Sequence, residues 1–313
     1  MIRRRGSRAD AEALCPLVLA DPDRTQSLLP VLAEHGDAAI AEQLLSACRT
    51  PALVEDCHAL DTLLHVVGYL GYEPAEDLLW QQANEGFPGA CLGLLHLPCH
   101  GLADEIHAEI DRHHGSAIFP EFLPALAVKA GDSELLHRLV DWGRVASTDC
   151  NGGLVLGISL FGDQGRSEFV RLLWDPAWEI DGSGTGTIRY AYAATRITGL
   201  SLTELYESVH QKANDAPEDA KHAMRVLVAL LGMWASRYWV GLRMATADED
   251  AQQLYQAFFE WSTPHHDDSL SGLAYRLFSP DNRIHDQIHT LETRVADRLT
   301  HQVETSLLAA MRR

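Results

Sequence analysis

The stretch Ala127-Val128-Lys129-Ala130-Gly131-Asp132-Ser133-Glu134-Leu135-Leu136-His137-Arg138-Leu139-Val140 decides how the chain is read. An apolar run ends at a glycine with a polar neighbour, and a short amphipathic run follows. Leu135, Leu136, Leu139 and Val140 share one face at helical spacing. This is the pattern of a helical hairpin. Gly131 suits the left-handed conformation that ends a first helix. Asp132 suits the start of a second, where its side-chain oxygen accepts from free backbone N–H groups.

The same step recurs at Gly36-Asp37, Gly71-Tyr72, Gly101-Leu102 and Gly162-Asp163, with a weaker echo at Gly199-Leu200-Ser201. The first five steps lie 35, 30, 30 and 31 residues apart. Amphipathic runs follow them, as at Ala39–Leu45 and Ser167–Leu173, and an apolar run such as Phe122–Val128 precedes. A lone hairpin cannot bury its apolar face, so neighbours must stack and at least three repeats are needed. The run Leu154–Leu160 reads as a strand or a buried helix, because a short apolar run has no diagnostic period. It falls where the repeat expects a first helix.

These observations predict an all-α fold. Residues 10–175 form a right-handed α-solenoid of stacked helical hairpins with a period of about 31. A Gly-rich junction and linking helix occupy 176–200, centred on Gly182-Ser183-Gly184-Thr185-Gly186-Thr187. A C-terminal bundle of longer helices fills 201–313. The repeat region resembles solenoids of the HEAT and ankyrin type. The Thr-Pro-Leu-His signature of ankyrin repeats is absent, so the resemblance is to the architecture, and it implies a binding surface. In the last third, Ser201-Leu202-Thr203-Glu204 has capping-box spacing and opens a helix to about Lys212. Pro217 starts a long helix to about Met244, and another covers 248–261. Ser279-Pro280 opens a final helix that runs nearly to Arg313 and either closes the molecule or pairs with a second copy as a homodimer.

Composition narrows the function classes. The 313 residues carry a net charge of −19. Such a field repels phosphates, which makes nucleic acid a poor partner. It favours a basic protein or peptide, or a cation. Only three lysines occur, Lys129, Lys212 and Lys221, beside many arginines; this is the bias of GC-rich, actinobacterial-type coding. Six cysteines without a Cys-x-x-Cys pair read as buried free thiols of a reducing compartment. No signal-peptide core follows the basic start, and no apolar stretch reaches membrane-spanning length, so the expected location is the cytoplasm.

Five groups are candidates for chemistry. His265, His266, Asp267 and Asp268 form a loop of ligating side chains suited to acid–base work; the competing reading is a helix cap. His285 and His289 stand at i and i+4, the spacing of divalent-metal ligands on a helix, or of an ordinary helix face. Arg237, Tyr238, Trp239, Arg243 and Trp261 read as a ligand or partner surface, or as core. His96-Leu97-Pro98-Cys99-His100, with Cys91 and His107 nearby, reads as buried Cys and His in a helix-to-helix turn. The Gly182–Thr187 loop reads as a flexible junction.

The leading expectation is a scaffold or adaptor, of immunity or regulatory type, that binds a basic partner on an acidic solenoid face. The first alternative is an enzyme acting on a small molecule or peptide in a pocket between the solenoid and the C-terminal helices, using the His/Asp residues for acid–base work, with a divalent metal as the cofactor the pattern admits. The second is a HEAT-like DNA-base glycosylase, which the net charge opposes.

Overall fold

A computed structural model describes residues 6–22, 28–50, 53, 56–99, 101–131, 134–147, 149–178, 187–243, 269–280, 288–289 and 292; within 187–243, side chains are described at 191 and 193–232. Among these residues there are fifteen α-helices and no strand. They are α1 (Arg8–Ala20), α2 (Leu29–His35), α3 (Ala38–Ala47), α4 (Cys57–Tyr69), α5 (Glu76–Asn84), α6 (Pro88–Leu94), α7 (Ala103–His113) and α8 (Leu123–Lys129). There follow α9 (Leu135–Trp142), α10 (Asn151–Ser159), α11 (Gly162–Leu173), α12 (Thr187–Ile197), α13 (Leu202–Asp215), α14 (Pro217–Arg243) and α15 (Leu270–Phe278). Single 3₁₀ turns lie at Glu73–Ala75 and Pro176–Trp178. No described helix is long and apolar enough to cross a membrane.

Gly71, Gly131, Gly162 and Gly199 each follow the end of a helix closely, as read, whereas Gly101 lies in the turn well past the end of α6 at Leu94. Gly71, Gly101, Gly131, Gly162 and Gly199 all have positive φ, the region where a side chain collides with its own backbone. Gly36 is extended at φ −73° and ends α2 without it. Two further glycines, Gly86 and Gly115, also have positive φ. They follow the ends of α5 and α7. Asp37 caps α3 as expected, accepting from Ala39 and Ile40 N–H at 3.1 and 3.2 Å. Such a cap contributes about 1 kcal/mol. Asp163 differs from the expectation: it lies inside the first turn of α11, which Phe161 precedes as cap residue.

The strand-like run is helical. All nine residues of α10 are buried, and a helix buried all round has no polar face to reveal its period. The capping box at Ser201 is present, with Glu204 N–H donating to Ser201 Oγ at 3.0 Å and Ser201 N–H to Glu204 at 2.9 Å. Arg166 also reaches Glu204, at 2.7 Å. The Ser201 backbone bond, then Arg166, hold the Glu204 carboxyl below its ordinary pKa. The helices expected over 248–261 and from Pro280 to Arg313 lie outside the described residues beyond short pieces.

The chain divides into two compact units. Of the described residues, unit 1 holds 6–113 and 119–131, and unit 2 holds 114–118 and those from 134 onward. In unit 1, α4 packs on α2, α3, α5 and α6, while α8 packs on α6 and α7. In unit 2, α10 packs on α9, α11 and α12, and α14 packs on α12, α13 and α15.

Candidate functional site

The densest group of chemistry-bearing side chains among the described residues sits in unit 1, where α4 meets α6. This seam is closed by glycine. A Cβ built on Gly68 would lie 2.3 Å from Gly93 Cα, and one on Gly89 would lie 2.1 Å from the Asp61 carbonyl oxygen. The two backbones therefore touch. The pairings 61 with 89 and 68 with 93 ascend together, so α4 and α6 run in the same direction. The Asp61 carboxylate accepts from Gly89 N–H at 2.6 Å, satisfying one of the free N–H groups in the first turn of α6. Burial raises the Asp61 carboxyl, opposed by that Gly89 bond.

Contact at this distance forces the side chains beside the seam together. His65 on α4 stacks on His96, just past α6, with ring centroids 6.0 Å apart and planes at 27°. The Tyr69 ring lies 4.9 Å from His96. His96 is buried, and the Nε2 atoms of His65 and His96 are both buried without a hydrogen-bond partner. Burial brings the His65 imidazole down to about 4. It brings His96 down to about 3, with smaller contributions from His65 and from Lys129. Both rings are neutral at pH 7.

Lys129, the last residue of α8, closes the other side. Its ammonium donates to the Leu95 carbonyl at 2.7 Å, to the Leu97 carbonyl, and to that of Leu94 at 3.5 Å. These oxygens lie at the negative end of α6, where a cation is favoured. Cys99 follows in a left-handed conformation, φ 57°, held by its N–H donating to Glu76 at 2.7 Å and its Sγ to Leu94 O at 3.2 Å. Burial pushes the Cys99 thiol up to about 11 and Cys91 to about 12, so neither is a thiolate near neutral pH.

We expect Lys129→Met to cost about 2 kcal/mol in urea unfolding, the range for hydrogen bonds from a charged donor. Lys129→Arg will not restore it, because a planar fork cannot converge on three neighbouring carbonyls as an ammonium does. A loss below about 0.5 kcal/mol for Lys129→Met would show that the carbonyls are equally well served by water.

The sequence candidates fare unevenly. His96 and Cys99 sit buried in the turn after α6, as the turn reading has it, and Cys91 is buried in α6. His100 lies outside the described residues. His107 in α7 has a buried, unpartnered Nε2. His265, His266, Asp267, Asp268, Trp261, His285 and the Gly182–Thr187 loop up to residue 186 are outside the described residues. Arg237, Tyr238, Trp239 and Arg243 belong to the backbone of α14, and their side chains are likewise outside. His289 is exposed, beside buried Ile288. Among the described residues no three His, Cys, Asp or Glu come together as a metal-ligand set. Of the six cysteines, all free, only Cys57 is exposed.

His65, Tyr69 and Lys129 were not singled out by sequence, since each looks like an ordinary helix residue. The one available signal was Gly89-x-x-x-Gly93, small residues one helical turn apart, which let two helices approach closely.

Part of the chain's acidity is gathered in one run of unit 1. From Thr50 to Asp111, 62 residues contain eleven carboxylates and no Lys or Arg. Many of these carboxylates are exposed, among them Glu73, Asp77, Glu85, Asp104, Glu105 and Asp111. Glu105 also accepts from Trp80 Nε1 at 2.6 Å, which ties α7 to α5. No family model matches this chain, and neither a curated protein nor a solved structure is similar to it.

Proposed function

We propose that the chain is a protein-binding scaffold built as a stack of helical hairpins, whose acidic first unit docks a basic protein or peptide. The observation that carries this reading is the run from Thr50 to Asp111 in unit 1, with eleven carboxylates and no Lys or Arg. A protein that needs acidity only for solubility gains most by spreading it. Concentrated in one run without basic residues, it makes a field that steers a basic partner and rejects nucleic acid. Support for the stacked arrangement comes from the packing of each first helix on the next, α2 on α4, α4 on α6, and α6 on α8, and separately α10 on α12 and α12 on α14. The parallel course of α4 and α6 is what successive hairpins of a solenoid require. Buried free thiols fit a reducing location such as the cytoplasm.

The test is affinity capture from native lysate at low and high salt. Three proteins are compared: the wild type, a unit 1 variant with Glu73→Gln, Asp77→Asn, Glu85→Gln and Asp104→Asn, and a unit 2 variant with Glu207→Gln, Glu218→Gln and Asp219→Asn. A stoichiometric basic partner is expected with the wild type and the unit 2 variant at low salt, lost at high salt and with the unit 1 variant. Recovery of no stoichiometric partner, or of one that the unit 1 variant holds equally well, would overturn the reading.

A further inference from the structure

His65 and His96 are placed where a proton has nowhere to be accommodated. Both Nε2 atoms are buried without a partner. The rings stack with centroids 6.0 Å apart, so charging both sets two cations against each other. The neighbouring Lys129 ammonium is already satisfied by carbonyls of the α6 end. The carboxylates at hand are engaged by backbone donors: Asp61 by Gly89 N–H and Glu76 by Cys99 N–H.

Among the described residues, other elements around the pair offer no compensation. On α4 itself, His58 is exposed and Tyr69 presents its ring. From α6 and its turn come the neutral thiols of Cys91 and Cys99. The 3₁₀ turn before α5 contributes exposed Glu73, and α2 and α3 contribute Glu34, His35 and Glu42, none of them buried. The Gly68 and Gly93 backbones already touch, so the seam cannot tighten around a new charge. A proton on either buried Nε2 meets no acceptor unless α4 and α6 part.

We propose that the His65–His96 pair is an acid-sensitive latch: a proton on either ring separates α4 from α6 and opens unit 1. On the function proposed above, on which only this last consequence rests, opening dissolves the acidic docking surface and releases the basic partner on acidification. The direction follows from linkage. Folded values of about 4 and about 3 lie below the ordinary 6.5, so the unfolded state binds more protons between them. Stability is complete above about pH 6.5 and falls as pH drops toward 4.

Hydrogen exchange of the α4 and α6 amides in the full chain, corrected for intrinsic rates, tests the latch without any partner. Between pH 7 and 4.5 the wild type should lose protection about a hundred-fold from one imidazole alone. His65→Phe with His96→Phe should remove most of that loss, while the shared titration of surface carboxylates leaves a smaller one. Equal losses in both proteins, or full wild-type protection at pH 4.5, would overturn the proposal. Should the double variant not fold, NMR titration of the wild-type imidazoles decides: rings that titrate near 6.5 with the fold intact refute the latch, and rings that stay neutral until α4 and α6 open support it. If capture from lysate yields a partner, pH 5 should elute it from the wild type; retention alongside the expected exchange loss would sink the docking reading and leave the latch standing.

Discussion

Gly68→Ala will destabilise unit 1 by about 3 kcal/mol or more, the upper end of what overpacking costs. One methyl group is enough because of what it meets. The new Cβ would lie 2.3 Å from Gly93 Cα and 2.4 Å from its carbonyl carbon and oxygen. All three are backbone atoms inside a helix, so no rotamer change makes room. The helices must move apart, and separation disturbs the Asp61 bond to Gly89, the His65–His96 stack and the apolar contacts of Leu63 and Leu64, both fully buried. Gly86→Ala is the control. Gly86 has φ 95° and nothing near its missing Cβ, so only backbone strain of about 1–2 kcal/mol applies. Urea unfolding of the two variants compares packing with conformation. A Gly68→Ala cost no larger than that of Gly86→Ala would mean that the seam is looser than 2.3 Å implies.

In unit 2 the largest effect belongs to Trp178. It is fully buried in the short 3₁₀ turn after α11, and its ring lies against Gly143, where an added Cβ would come within 2.1 Å of Cζ2. Trp178→Ala removes that ring and leaves a cavity, at an expected cost of about 3–5 kcal/mol. Its Nε1 has no hydrogen-bond partner, so none is orphaned when the ring goes. Trp178→Phe should therefore cost under about 1.5 kcal/mol. Gly143→Ala should cost about 2–3 kcal/mol alone. Combined with Trp178→Phe it should cost less than the sum, because the smaller ring leaves space for the methyl. Strict additivity in that cycle, measured by urea unfolding, would show that the two residues are not in contact.

These predictions mark where sequence reasoning reached and where it stopped. The stops at Gly71, Gly131 and Gly162 were legible because a left-handed glycine acts within its own turn. Gly68, Gly89 and Gly93 were not, because their role depends on which helix lies opposite. The same limit explains the rest of the site. Cys91, His96 and Cys99 drew notice as a local cluster, whereas His65 and Lys129 lie about 30 residues to either side of His96 and join it only through packing. Leu154–Leu160 left helix and strand undecided, since full burial of α10 removes the alternation that separates them. The run from Thr50 to Asp111 without Lys or Arg was in the sequence throughout, but the net charge of the whole chain conceals it.

The absence of basic residues between Arg49 and Arg112 has a practical consequence beyond partner choice. Trypsin cuts after Lys and Arg, so even the unfolded chain yields residues 50–112 as one fragment of 63 residues. That fragment contains α4, α5 and α6, and with them both sides of the glycine seam. Digestion mapping and amine-directed cross-linking would pass over the part of unit 1 with the most to report. An acid-side protease such as Glu-C, which cuts after Glu55, Glu76, Glu85, Glu105 and Glu109, is the reagent that would register its opening.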